Sequence, residues 1–429
     1  MNQTINAGAN NAVSVTLGGI LKSLAVAIPM QQIRGTVPSS QNIIVEGFDA
    51  DHNVIVTDSY VDANSNPVSI GVALTTNTAN VFSLGATSLS APPPTGVKLS
   101  YNGGATAGFA TAFQVSSAGG ATASGAITVL GPTFTEFNAP GTSTPNNLAL
   151  APAASHNKDV WFTDFAGNKV GRVTSAGVIT EYPAWGTHPN GITGGPAGNA
   201  DMWVAELTSS DIYWFGTDGA SHGHTPTTTP NAGPYGITAG TDGNLWFAEE
   251  FAGKIGEITP GGVMVNEYPV PSANPVPLFL TAGPDGNIWF TDGGSGNIGR
   301  ITPAGAMTLF PLPAGAASTP DGIVAGADGR LWFSERLGNN IGAITTGGVI
   351  TEYALPTANA QPNGMTAGAD GNVWFVESNL NKIARISASG AVVEYAFPTA
   401  SSLYGIVAGP DNNLWFGEYS ANKIGTFSW

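Results

Sequence analysis

Leu245-Trp246-Phe247-Ala248-Glu249 carries a large apolar group on each face of a strand. Alternation sends Leu245, Phe247 and Glu249 to one side and Trp246 and Ala248 to the other. A sheet with one wet face does not carry aromatic groups on both. A strand buried between two neighbouring layers does. The run returns as Val160 to Asp164, Met202 to Glu206, Ile288 to Asp292, Leu331 to Glu335, Val373 to Glu377 and Leu414 to Glu418. The tryptophans Trp161, Trp203, Trp246, Trp289, Trp332, Trp374 and Trp415 are 42, 43, 43, 43, 42 and 41 residues apart. That period is one four-stranded propeller blade. Burying one such aromatic side chain stabilises by roughly 1.5–3 kcal/mol, so seven copies supply much of a core.

Working outward from Trp246, Gly236 to Gly240 reads as a first strand and Asp242-Gly243-Asn244 as a tight turn that tolerates positive φ. Lys254 to Ile258 is a third strand, Pro260-Gly261-Gly262 a turn, and Val263 to Tyr268 a fourth strand. Pro269 to Pro277 crosses to the next unit. The last unit ends at Trp429 without a fourth strand. Pro132-Thr133-Phe134-Thr135-Glu136-Phe137 resembles the fourth strand Val178 to Tyr182 and is expected to supply it. Such a pairing hides two edges and closes the ring. The expected architecture is all-β. Residues 131–429 form a seven-bladed β-propeller, closed by strand 132–137 pairing with the last blade. Residues 1–130 show six short alternating runs, the first at Ala12 to Leu17, separated by Gly, Asn, Pro and Ser. They read as a small immunoglobulin-like β-sandwich, a spacer or docking module. The second propeller unit departs from the others. It has Trp214 where others have Gly or Ala, and a His222-Gly223-His224 insertion expected to form a loop reaching over one mouth.

Composition fits this frame. The 429 residues are 42% hydrophobic and only 10% charged, with 58 Gly and 30 Pro. Sparse Lys and Glu disfavour long exposed helices, and Gly, Thr, Val and aromatics favour strands and turns. Thirteen Lys and Arg against 29 Asp and Glu give a net charge of −16, a field that repels phosphate backbones, so nucleic acid is not an expected partner. There is no cysteine, which excludes disulfides and thiolate metal sites. No apolar run reaches the ~20 residues of a membrane span. No signal peptide is visible. Low charge with abundant Thr, Gly and Asn suits a secreted or cell-surface protein.

Residues 132–429 resemble the streptogramin lyase (virginiamycin B lyase-like) propeller family. The stretches that carry the likeness are Ala282 to Asp292, Asn297-Ile298-Gly299-Arg300-Ile301-Thr302 and Gly348-Val349-Ile350-Thr351-Glu352-Tyr353. The resemblance implies a Mg²⁺-dependent carbon–oxygen lyase that opens cyclic depsipeptides by elimination with a histidine general base. It places the key histidines directly after the connector prolines. It places two glutamates as further ligands, one before such a proline and one at the end of a Trp-Phe strand. Here the residues after the prolines are Asn146, Asn190, Tyr235, Leu278, Asp321 and Asn363, with Tyr404 after Leu403. None is histidine, and asparagine cannot act as a base near neutral pH. His188, in Thr187-His188-Pro189-Asn190, stands where the family's glutamate would be and is the nearest catalytic candidate.

The acids that end the Trp strands are present in every unit: Asp164, Glu206, Glu249, Asp292, Glu335, Glu377 and Glu418. They are expected at the same mouth as the prolines. As oxygen ligands they suit a hard cation such as Mg²⁺ or Ca²⁺. As a feature of every repeat they equally suit hydrogen bonds to their own loops. Asn190, Tyr235, Asp321, Asn363 and Tyr404 form a polar, aromatic set suited to a sugar or peptide, or else fill the strand entrances. His222 and His224 are weaker metal candidates, and His52 and His156 have no visible partner. The first expectation is a module that binds a small peptide, sugar or protein at the propeller mouth. The second is an enzyme on the same mouth, a divergent metal-assisted lyase or a hydrolase. The third is a scaffold at the cell surface.

Overall fold

The structure, a computed structural model, describes residues 132–155, 158–399 and 401–428 in full, and the backbone of the strands between residues 23 and 130. The expected run Ala12 to Leu17, and His52 and His156, lie outside the described residues. The chain divides into two compact units near residue 133. In the first, Ser23–Ala27, Ser39–Phe48, Val97–Tyr101 and Phe82–Leu84 pair in that order as one sheet. Gln32–Arg34, Thr122–Leu130, Ala110–Ser117, Ile70–Thr76 and Ser88–Leu89 form another, with Gln32–Arg34 parallel to its neighbour.

The second unit is a seven-bladed propeller of four-stranded antiparallel sheets. In the first six blades the strands pair in chain order from inside to outside. The third blade runs Pro234–Ala239, Leu245–Glu249, Lys254–Ile258 and Met264–Pro269. Thr133–Asn138 is the outer strand of the seventh blade, next to Lys423–Ser428. Lys423 pairs with Glu136 across that seam, and the Ala139 N–H donates to the Asn422 carbonyl. The inner strands touch in ring order, and the seventh touches the first.

Every residue of the seven Trp strands is buried. The core lies between blades. Trp203 and Ala205 of the second blade meet Leu245 and Phe247 of the third, and Trp246 meets Ile288 and Phe290 of the fourth. Trp415 of the seventh meets Val160 and Phe162 of the first. The two-faced pattern of the strand is therefore the interlock between neighbours. A buried indole N–H needs an acceptor. The turn aspartate four residues earlier supplies it in five blades: Trp246 to Asp242 at 3.1 Å, Trp289 to Asp285 at 3.0 Å, Trp332 to Asp328 at 3.2 Å, and Trp374 to Asp370 and Trp415 to Asp411 at 3.1 Å.

The second blade corrects two expectations. Tyr213, not Trp214, stands where other blades have Gly or Ala; Trp214 lies opposite Trp203, at the place of Arg172, Glu257 and Arg300. His222-Gly223-His224 is not a loop over the mouth. It lies in Ser221–Pro226, the regular outer strand of that blade, with Tyr213 opposite His224 and Trp214 opposite Gly223. A Cβ on Gly223 would sit 2.4 Å from the Trp214 ring, so the glycine makes room for an indole that stacks on Trp203 at 4.7 Å. His222 meets Asp201 at 2.8 Å and His224 meets Asp211 at 3.1 Å, each in its own pair.

Candidate functional site

The mouth is built by a defect repeated in every blade. The inner strand starts opposite the terminal acid of the Trp strand: Pro145 faces Asp164, Pro234 faces Glu249, Pro320 faces Glu335 and Leu403 faces Glu418. The register then slips within the next three residues in all seven blades. Such a bulge bends the strand and re-aims the side chain that follows the proline. The next residue is glycine in five blades because neighbouring inner strands come close there. A Cβ on Gly364 would lie 2.6 Å from the Tyr404 carbonyl oxygen, and one on Gly236 would lie 2.5 Å from that of Leu278.

The side chains re-aimed in this way meet. Tyr235 Oη and Tyr404 Oη, from the third and seventh blades, lie 2.9 Å apart and join opposite sides of the opening. Asn146 Nδ2 donates to Asn190 Oδ1 at 2.6 Å, and Asn147 Nδ2 reaches the same oxygen at 2.9 Å. Asn363 lies beside the Tyr404 hydroxyl. Asp321 is 5% exposed, and its Oδ1 has no hydrogen-bond partner. Burial pushes its carboxyl up to about 7, with the nearby Arg336 charge opposing and Glu250 assisting. Burial, with Tyr404 and Asp321 alongside, likewise drives the Tyr235 phenol well above its usual range. Asn190, Tyr235, Asp321, Asn363 and Tyr404 thus all stand at the mouth. Below them, residues of all seven inner strands line an axial cavity of about 150 Å³.

The seven acids behave differently. Asp164, Glu206, Glu249, Asp292, Glu335, Glu377 and Glu418 stand at the mouth end of their strands, yet each is at most 1% exposed and lies within its own blade. Thr144 N–H donates to Asp164 at 2.7 Å, Gly186 N–H to Glu206 at 2.8 Å and Val276 N–H to Asp292 at 2.9 Å, all from the blade's own connector. Burial raises Glu249 to about 8, helped by Glu267, and raises Glu335, Glu377 and Glu418 to about 7. Burial opposes ionisation of Glu267 too, but hydrogen bonds from Thr229 and Thr228 win and lower it to about 2. Among the described residues no three His, Asp or Glu side chains converge as a ligand set. The expected acid ring for Mg²⁺ or Ca²⁺ is therefore seven separate carboxyls, held apart because each points into its own sheet.

His188 is tied down rather than poised. Its backbone is left-handed at φ 56°, its N–H donates to Asn168 Oδ1 at 2.8 Å, and its Nδ1 meets Thr208 Oγ1 at 2.8 Å. Its ring lies 4.7 Å from that of Phe165. Sequence patterns single out each acid and pass over the residue after it, yet that position forms the rim. The backbone N–H groups of Phe165, Leu207, Glu250, Gly293, Arg336, Ser378 and Tyr419 all donate to the carbonyl of the residue before the inner strand's first position. Phe165, Leu207 and Tyr419 join Tyr235 and Tyr404 around one cavity, and Arg336 and Ser378 line another with Asn363. The signal that marks the rim is variability: this position changes in every repeat, while the one before it is always an acid.

The sequence model of the Virginiamycin B lyase family matches residues 110–272 and 188–429. The chain belongs to that family. A solved streptogramin B lyase structure is 35% identical, with TM-score 0.63, covering 69% of this chain and 97% of its own. Virginiamycin B lyase from Staphylococcus aureus is 34% identical, with TM-score 0.63, covering 70% of this chain and 99% of its own. A catalytically inactive histidine-to-alanine variant of that enzyme, solved with quinupristin, aligns equally well. No curated protein sequence matches the chain. Where the family resemblance calls for histidines, this member has three amides, two phenols, Leu278 and the enclosed Asp321. A hard cation prefers charged oxygen ligands, and this set offers a single carboxyl, Asp321, itself raised to about 7, which is a poor fit for Mg²⁺.

Proposed function

We propose that this family member is a binding module whose mouth holds a peptide, sugar or partner protein without opening a depsipeptide ring. The carrying observation is the Tyr235–Tyr404 hydrogen bond, which occupies the mouth with two phenols. The neutral amides around it recognise polar ligands and abstract no proton at neutral pH. The N-terminal unit serves in this proposal as an immunoglobulin-like sandwich that spaces or docks the propeller, on a secreted or cell-surface protein. Sparse charge and abundant Thr, Gly and Asn support that location. No helix among the described residues is long and apolar enough to cross a membrane.

One observation favours a second role. Asp321 follows a connector proline, where the resemblance places histidine, and burial raises it to about 7, the range suited to a general base. A divergent lyase or hydrolase would use Asp321, with His188 at the rim, and neither group needs a metal to carry a proton. Offering a cyclic depsipeptide such as quinupristin separates the two roles. A binding module leaves the ring intact. An enzyme opens it, and loses that turnover in Asp321→Asn.

A further inference from the structure

Arg336 differs from the other described propeller arginines. Arg172, Arg300, Arg330 and Arg385 each lie 2.7 to 3.8 Å from an aspartate. Arg336 forms no direct ion pair among the described residues, only a longer-range attraction to the buried Asp321, in a chain with 29 acids against 13 bases. Its guanidinium is exposed at the rim and borders a cavity of about 260 Å³ with Gln361, Asn363, Ser378, Tyr404 and Tyr419. A planar guanidinium with unused donors matches a carboxylate in a bidentate pair.

Two further features restrict the class of carboxylate. Asn363 is 1% exposed, and its Oδ1 has no hydrogen-bond partner, so a ligand N–H beside the carboxylate would satisfy it. On the other side of Tyr404 and Tyr419 lies the cavity lined by Phe165, Leu207 and Tyr235, about 150 Å³ and suited to an apolar side chain. The titratable groups facing the site are Asp321, Glu250, Tyr235, Tyr404 and Tyr419. Burial raises the first four, so the two carboxyls oppose an incoming anion less than two ordinary carboxylates would. A carboxylate, an adjacent N–H and an apolar side chain are together the last residue of a peptide.

We infer that Arg336 receives the free carboxylate of a peptide C-terminus, with Asn363 accepting the terminal N–H and the aromatic cavity taking the side chain. This rests on the mouth being a binding site. The test is calorimetry at pH 7 with the tripeptides Ala-Ala-Leu and Ala-Ala-Phe, each as free acid and as C-terminal amide. The free acid is expected to bind at least about tenfold more tightly than the amide, and Arg336→Gln to abolish that difference. Arg336 is exposed, so the variant is expected to fold. Equal binding of acid and amide overturns the carboxylate assignment and leaves the mouth standing as a site. Binding that survives Tyr419→Ala unchanged places the ligand elsewhere and overturns the mouth itself. Silence from both forms at millimolar peptide overturns the peptide C-terminus as the ligand class.

Discussion

Replacing Glu377 by glutamine should make the propeller more stable above neutral pH, with only about a quarter of that gain present at pH 5. Burial holds the Glu377 carboxyl at about 7 in the folded chain, with Glu394 adding and Lys382 opposing, against an ordinary value of 4.5. A raised acid contributes no pH dependence below the unfolded value, where both states are protonated. Between 4.5 and about 7 the unfolded chain ionises first, so stability falls as pH rises, then levels off. A difference of one pH unit between the folded and unfolded values is worth about 1.36 kcal/mol, so the full cost is ~3 kcal/mol as an upper bound. Glutamine is neutral throughout and keeps a donor toward Glu394. Coupling to Glu394 and Lys382 reduces the expected gain to about 1–3 kcal/mol at pH 8.5, roughly 2 to 5 °C in Tm for a propeller of this size. Thermal unfolding followed by tryptophan fluorescence from pH 5 to 9 measures it. A wild-type-to-variant difference that is the same at pH 5 and pH 8.5 would refute the buried, neutral carboxyl. A Tm that rises with Mg²⁺ in the wild type and not in the variant would make Glu377 a metal ligand instead.

Two other outcomes follow from the same geometry. Gly364→Ala should destabilise the propeller by about 1–3 kcal/mol, because the added Cβ meets the Tyr404 carbonyl oxygen at 2.6 Å; an unchanged urea midpoint would show that the inner strands part easily. Asp242→Ala should cost about 1–3 kcal/mol by orphaning the buried Trp246 N–H, while the same exchange at the solvent-facing Asp218 turn, which caps no indole, should cost far less; equal losses would contradict the capping role.

The fold was legible because the decisive signal was local and repeated. A Trp strand apolar on both faces admits only burial between two layers, and its period fixes the blade. The site was legible at half its positions. Asn190, Tyr235, Asp321, Asn363 and Tyr404 follow the first residue of the inner strand, where the bulge begins, and that bulge brings them to the mouth. Asp164 and its six counterparts were visible as a pattern but not as a role. Connector N–H groups hold Asp164, Glu206 and Asp292 inside their blades, whereas Glu249, Glu377 and Glu418 are buried with neither carboxyl oxygen held in that way. Chemistry that differs between blades must sit where repeats differ, at Phe165, Leu207, Glu250, Arg336 and Tyr419. His222-Gly223-His224 was obscured because glycine reads as a turn residue. Its reason for being in a strand is the Trp214 ring across the ladder, a contact that single-sequence patterns do not display.

In the proposed function this mouth binds without opening a depsipeptide ring. Incubating the full chain with quinupristin and Mg²⁺, followed by chromatography with mass detection, tests that most directly. Elimination opens the ring without changing its mass, whereas hydrolysis adds one water, so retention and mass together separate lyase, hydrolase and inactive protein. The intact ring at unchanged retention is the predicted result. A linear isomer of the same mass, formed by the wild type and lost in Asp321→Asn, would contradict the proposal and make Asp321 the base of a working lyase.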